Sequence, residues 1–197
     1  MGGEHADEEL ERYLAEVMVG PPEHAAIRIR PYDPAWPERF AREAAGIRDV
    51  LGGRELRIEH IGSTSVPGLA AKPVVDILLV LDDPADEASY VPALEAAGYQ
   101  LRVREPDFYQ HRMLRTPQRD VHVHVFAPDS PEIDRYLLCR DRLRADAAER
   151  ELYAEAKRRL AARDWPTMQH YAEAKTEVVE AILARAVAAE KAGSGPA

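Results

Sequence analysis

The most constraining stretch of this chain is Val74-Val75-Asp76-Ile77-Leu78-Leu79-Val80-Leu81, an apolar run interrupted by one carboxylate. Such a run without polar alternation suits a central strand covered on both faces, so the chain needs a sheet with helices packed on either side. Strand parity puts Asp76, Leu78 and Val80 on one face and Val75, Ile77 and Leu79 on the other. An ionised carboxylate in that setting is costly without a partner. Asp76 is therefore either a buried aspartate satisfied by loop amides or an arginine, or a metal ligand or general base.

The strand follows the loop Ile61-Gly62-Ser63-Thr64-Ser65-Val66-Pro67-Gly68-Leu69-Ala70-Ala71-Lys72-Pro73. Gly62 lets backbone amides approach an anion closely, Ser63, Thr64 and Ser65 offer hydroxyls, and Lys72 supplies charge. The alternative is a tight strand-loop-strand turn with a solvated lysine. No Gly-Lys-Ser/Thr stands at the offset that a Walker loop requires.

In Asp120-Val121-His122-Val123-His124-Val125-Phe126, alternation sends the valines to one layer and both imidazoles to the other. Side chains two apart start roughly 6.5 to 7 Å from each other, a gap that two histidines can close around one metal or phosphate. A satisfied polar patch explains the pair as well. His60 and His111 stand alone on strands, and His5, His24 and His170 carry little signal. Arg102, Arg104, Arg112, Arg115 and Arg119 form a local guanidinium excess suited to phosphate or carboxylate, with Arg112 taken as a phosphate contact. Farther on, Arg140 and Asp141 are adjacent, and Tyr153/Lys157 and Tyr171/Lys175 each share a helical face. Helix packing accounts for the tyrosines equally well. Trp36 and Trp165 are expected in the core.

The 197 residues, 46% hydrophobic and 31% charged, suit one domain. An acidic extension (1–24) carries a short helix, Glu8 to Val19, stopped by Gly20-Pro21-Pro22 and read as an appendage to the domain proper. The domain (25–191) starts with an edge strand at Ile27 to Pro31. A helix then runs from Trp36 to Leu51, behind Asp33-Pro34 and closed by Gly52-Gly53. A strand (Leu56 to Ile61) precedes the loop, and a helix (Ala85 to Ala97) follows the apolar strand. Three strands come next, Tyr99 to Arg104, Phe108 to Leu114 and Asp120 to Phe126. Helices Pro131 to Leu143, Ala145 to Ala162 and Met168 to Lys191 finish it, before a loose tail (192–197).

The formal net charge of -9 opposes broad attraction to nucleic acid or anionic membrane. The single Cys139 fits a reducing compartment and a structural role. No stretch approaches the ~20 apolar residues of a spanning helix, and the acidic start lacks the regions of a signal peptide, so the cytoplasm is expected. Oligomeric state is not legible.

From Ile27 to Ala184 the sequence resembles the GrpB family (UPF0157-type). The resemblance is carried chiefly by His60-Ile61-Gly62-Ser63-Thr64-Ser65-Val66-Pro67-Gly68-Leu69 with Lys72-Pro73 and Asp76. Tyr32-Asp33-Pro34-Ala35-Trp36-Pro37, His122 to Phe126, Arg140-Asp141, Leu143-Arg144, Tyr153 with Lys157 and Tyr171 with Lys175 support it. The resemblance implies an α+β fold, a nucleotidyltransferase-like mixed sheet flanked by helices with a helical C-terminal part. It also implies a relation to the domain fused to dephospho-CoA kinase in some bacteria. Gly62 and Ser63 then take the phosphate-holding position and Asp76 that of the first metal-binding carboxylate. Working enzymes of that superfamily place a second acid two residues on and a third on a later strand, to clamp two Mg²⁺ ions. Here Leu78 and His122 or His124 stand instead. An aspartate with imidazoles suits Zn²⁺, Mn²⁺ or Ni²⁺ better than Mg²⁺.

The expectation is a transferase or ligase that uses Asp76, His122 and His124, with a divalent metal (Mg²⁺ or Mn²⁺, Zn²⁺ as the alternative) and a nucleoside triphosphate as co-substrate. It would act on a small-molecule acceptor by nucleotidyl transfer or carboxylate activation. A non-catalytic nucleotide- or CoA-precursor-binding module and a metal-binding regulatory protein are the competing readings.

Overall fold

The computed structural model describes residues 2–21, 27–52 and 55–193. The sheet is preceded by α1 (Gly2–Val17) and α2 (Ala35–Val50). The Asp33 carboxylate accepts from the Ala35 amide at 2.9 Å and Pro34 opens α2, so the Asp-Pro start signal operates as read. Then come β1 (Ile58–Ile61), a 3₁₀ turn (Ser63–Ser65), β2 (Val75–Val80), a second 3₁₀ turn (Glu87–Ser89) and α3 (Val91–Ala96). Strands β3 (Gln100–Glu105), β4 (His111–Arg115) and β5 (Val121–Phe126) complete the sheet. The chain closes with α4 (Pro131–Ala145), α5 (Ala147–Ala161), α6 (Met168–Glu173) and α7 (Thr176–Gly193).

The five strands lie in the order β1-β2-β5-β4-β3; β2 and β5 are parallel and every other neighbouring pair is antiparallel. This is the expected mixed sheet flanked by helices. Val75, Ile77 and Leu79 join Val121, Val123 and Val125 in a core with Trp36 and Ile47 of α2 and Leu94 of α3. On the opposite face Ile61, Leu78 and Phe126 pack with Ile133 of α4. The loop residues Val66 and Leu69 are buried with Leu143, Tyr153 and Ile182 from α4, α5 and α7. Ile77, Leu78 and Leu79 are each 0% exposed, and burying each contributes ~1.5–3 kcal/mol. Coverage on both faces is what the apolar run around Asp76 required.

Several elements differ from the sequence reading. The expected edge strand at Ile27 to Pro31 shrinks to a single bridge, Arg30 with Ala71, because Pro31 has no amide to continue the pairing. The expected helix from Ala85 to Ala97 is a 3₁₀ turn and a short α3; Pro92 is confined to the first turn, so helix cannot extend back through it. The last helix breaks between α6 and α7, where the ladder tightens and the Lys175 amide donates to Ala172 O at 3.2 Å. No residue type at Ala174 announces that break. Trp36 is in the core, whereas Trp165 is half-buried, donating to Leu160 O at 2.8 Å and meeting Tyr171 edge-on.

Rather than hanging free, α1 lies against the sheet. Val17 is buried, Met18 bridges Val103 on β3, and the Tyr13 hydroxyl donates to Glu105. His24, Gly53 and residues 194–197 lie outside the described residues, as does the side chain of His5.

Candidate active site

Register across the sheet assembles the site. Ile61, Asp76, His122 and Arg115 form one lateral row from β1 to β4, and Glu59, Leu78, His124 and Met113 form the next. Residues directly opposite one another share a face, so Asp76 and both imidazoles look into one cleft between the sheet and the C-terminal helices. The cleft is a cavity of about 550 Å³.

Gly62 closes the end of β1 with φ +68° and ψ −175°, a conformation open essentially only to glycine. A Cβ at that position would stand 2.4 Å from Asp76 Oδ2. The loop thus passes over the carboxylate with no room for a side chain. Behind it, Thr64 donates to Val74 O at 2.9 Å and takes a hydrogen bond from His60 Nε2 at 3.1 Å. The His60 ring stacks on Phe40 at 4.7 Å, and burial lowers it to about 4, so the ring is neutral. Ser65 donates to Gly62 O at 2.6 Å.

Ser63 faces the cavity and reaches the Tyr153 phenol. Of the predicted phosphate-binding hydroxyls, then, Ser63 opens onto the cleft, while Thr64 and Ser65, with His60, brace the loop. Arg144 adds two hydrogen bonds to Ser65 O, at 3.1 and 2.8 Å. Arg140 lines the cleft, tied to Glu59 at 3.0 Å and to Asp141 at 2.7 Å.

Asp76 Oδ1 lies 3.4 Å from His122 Nδ1 and 3.7 Å from His124 Nε2. One ligand atom from each residue falls within 4.8 Å of the other two, a spacing that lets a divalent cation sit among them. Burial opposes ionisation of Asp76, yet the two imidazoles outweigh it and hold the carboxyl well below the usual carboxylate range. Burial also holds His122 below its ordinary value, so it stays available as a neutral ligand.

A hydrogen-bond chain orients His124. Glu105 accepts from His111 Nδ1, and His111 Nε2 lies 3.1 Å from His124 Nδ1. Burial keeps His111 below its ordinary value and neutral. With its proton held by Glu105, His111 Nε2 is left to accept from His124 Nδ1–H, which turns the Nε2 edge of His124 toward Asp76. Partners of this kind set the tautomer and orientation of metal-binding histidines. Glu105→Ala is expected to weaken Mn²⁺ or Zn²⁺ binding ~10–100-fold, with partial recovery in Glu105→Gln, which keeps an acceptor oxygen. Metal titration checks this; equal affinities in all three proteins contradict it. His111 looks isolated in the sequence and Glu105 gives no signal there. Their pairing across the β3/β4 hairpin is what joins them.

Three lysines surround the same cleft. Lys157 donates to Ala70 O at 2.6 Å and lies over the Tyr153 ring, and Lys175 lies over the Tyr171 ring. Burial lowers Lys157 to about 7 and Lys175 to about 8, and it also lowers Lys72. The Tyr/Lys pairs are therefore part of the cleft wall as well as of helix packing. Burial pushes the Cys139 thiol up to about 11, which disfavours the thiolate, and the side chain packs against the Leu143, Tyr153 and Ile182 cluster. Leu14, Val17 and Met18 of the N-terminal segment also line the cleft.

Arg112 is a correction. It stands on the opposite face from His111 and His124, where its guanidinium pairs with Glu87 at 2.7 Å and with Gln110 O at 3.0 Å. Strand parity carries it away from the cleft, and Arg104 joins it on Glu87.

Residues 26–185 match the family model described as GrpB protein. The chain belongs to the GrpB family. It is 53% identical over 182 residues to UPF0157 protein BH1888 of Halalkalibacterium halodurans, covering 91% of each chain. It is 49% identical to UPF0157 protein SCO7215 of Streptomyces coelicolor, covering 88% of this chain and 91% of that one. The crystal structure of the conserved protein GrpB from Enterococcus faecalis superposes with a TM-score of 0.73 at 31% identity, covering 83% of this chain and 99% of the other. The family match starts after α1, so the helix that walls the cleft lies outside it. Among the described residues no helix is long and apolar enough to cross a membrane.

Proposed function

We propose that this chain is a nucleotidyltransferase-type enzyme that binds one divalent cation and a nucleoside triphosphate and acts on a small-molecule acceptor. The observation that carries this reading is the convergence of Asp76, His122 and His124 beneath the Gly62 turn, in a cleft lined by Lys72, Lys157 and Lys175. Gly62 exposes backbone next to the carboxylate, Ser63 offers a hydroxyl, and the three lysines supply the positive charge that phosphates need. One carboxylate oxygen and two imidazole nitrogens suit Mn²⁺ or Zn²⁺ ahead of Mg²⁺. A cation held there would act as a Lewis acid on a phosphoryl oxygen. Lys157 and Lys175, whose ammonium forms burial disfavours, can each give or take a proton near neutral pH.

Calorimetry with ATP, GTP, CTP and UTP in the presence of Mn²⁺ tests the reading. At least one nucleotide should bind below ~100 μM, about -5.5 kcal/mol. At pH 8 binding should take up protons, because phosphate charge beside Lys157 and Lys175 raises their depressed pKa values and restores the ammonium forms. The uptake appears as a dependence of the binding heat on buffer ionisation enthalpy. No binding of any nucleotide at millimolar concentration sinks the proposal.

A second reading, a nucleotide- or CoA-precursor-binding module without catalysis, is favoured by Leu78. That residue is 0% exposed among Ile61, Phe126 and Ile133, so the place of a second acid is dry and apolar. Pyrophosphate release with a panel of carboxylate and amine acceptors distinguishes the enzyme from the module.

A further inference from the structure

Next to the cleft lies a second cavity, of about 340 Å³, whose wall is strongly cationic: Arg28, Arg30, Lys72, Arg102, Arg115 and Arg119 line it. Asp120 is the one acid among the described lining residues, and it is already engaged by Arg39 at 3.3 Å and Thr116 at 2.7 Å. In a chain of net charge -9, this is a concentrated positive field inside a concave wall, which raises the local concentration of small anions. Closely placed guanidinium groups suit carboxylate and phosphate oxygens because each offers paired N–H donors.

The position of this cavity is informative. It shares Lys72, Val74, Met113 and His122, among other residues, with the cleft, so the cavity that holds the arginines adjoins the one that holds the Asp76 triad. Arg115 stands opposite His122 in the β4/β5 register, on the same sheet face. Burial lowers the Lys72 ammonium; the Asp76 carboxylate opposes that shift and the Arg115 charge adds to it. The arginines of the sequence excess thus divide by place: Arg104 and Arg112 pair with Glu87, while Arg102, which donates to Pro21 O at 3.0 Å, lines this chamber with Arg115 and Arg119.

We propose that the chamber is the acceptor site, and that the acceptor is a small polyanion whose carboxylate or phosphate groups are held by Arg28, Arg30 and Arg115, with its reacting end presented past Lys72 and His122. The presence of an anion site follows from the chamber alone; its assignment to the acceptor rests on the function proposed above. A substrate anchored there needs no contact with Lys157 or Lys175, which line only the larger cleft and stay with the nucleotide.

The test uses the full chain in metal-free buffer, with tricarballylate and pyrophosphate as carboxylate and phosphate probes. One or both should bind, with affinity falling as salt rises. Binding should weaken at least tenfold in Arg28→Gln/Arg30→Gln, where two exposed side chains are changed, and in Arg115→Gln. Thermal midpoints within a few degrees of wild type certify folding. The measurement is then repeated with a saturating non-hydrolysable ATP analogue and Mn²⁺. Unchanged affinity in Arg28→Gln/Arg30→Gln overturns the site. Displacement of the probe by the nucleotide analogue overturns the acceptor assignment and gives the chamber to the triphosphate. If the probe binds and responds to the variants while no nucleotide binds, the anion site stands and the nucleotidyltransferase reading fails instead.

Discussion

Asp76→Asn is expected to abolish transfer activity and to reduce affinity for Mn²⁺ or Zn²⁺ beyond measurement, while the thermal midpoint moves by only a few degrees. The carboxylate is the one anionic member of the triad, and an amide oxygen is a far poorer ligand for a divalent ion. Without it, the site presents two imidazoles and a ring of lysines with no anionic group among them, which repels rather than attracts a cation. The fold is not built on this group. Asp76 shares its face with the cleft, and its strand is held by Val75, Ile77 and Leu79 in the core and by the ladders to β1 and β5. In a domain of this size ~1 kcal/mol corresponds to roughly 2–4 °C, so loss of the electrostatic contacts at 3.4 and 3.7 Å to His122 and His124 is a small shift. A variant that keeps full metal affinity contradicts the assignment, and one that fails to fold shows Asp76 to be structural. Circular dichroism, scanning calorimetry and metal titration on one preparation separate these outcomes.

Gly62→Ala should damage both the fold and the site. With φ +68° and ψ −175° the alanine form is strained by ~1–3 kcal/mol whatever space surrounds it. Space is lacking as well, since the new methyl would lie 2.4 Å from Asp76 Oδ2 and 3.0 Å from its Cβ. Relief requires the carboxylate to rotate away from His122 and His124 or the loop to lift off β2. Either movement breaks the triad geometry. A fall of roughly 4–10 °C in the midpoint, with metal and nucleotide affinity reduced together, is the expected result. The neighbouring Ser63→Ala, which needs no backbone change, should leave the midpoint nearly unmoved. Equal midpoints for Gly62→Ala and wild type would show that the loop has more freedom than its close approach to Asp76 allows.

Much of the site was legible before any coordinates. The apolar run of β2, polar only at Asp76, demanded cover on both faces, and α2 with α3 on one side and α4 on the other provide it. The two-residue period placed Asp76 on one face of its strand and paired His122 with His124 on one face of theirs, as observed. Arg112 went wrong for a related reason. Composition says that arginines accumulate in β3 and β4, but parity within β4 sends Arg112 to Glu87 and Arg115 to the cleft face.

Local pattern is sufficient for those conclusions because alternation and burial are properties of a single strand: side-chain direction repeats every second residue, and the cost of exposing an apolar run does not depend on its partner. Lateral order is different. The parallel pairing of β2 with β5 brings Asp76 opposite His122, and the hairpin pairing of β3 with β4 brings Glu105 to His111 and thence to His124. These contacts join residues far apart in the chain through backbone hydrogen bonds that any side chains could make, so no residue type encodes them. The burial that depresses Lys157 and Lys175, the placing of α1 along the cleft, and the gathering of Arg28 and Arg30 with Arg115 belong to the same class: each is a meeting of distant segments, settled only when the whole core closes.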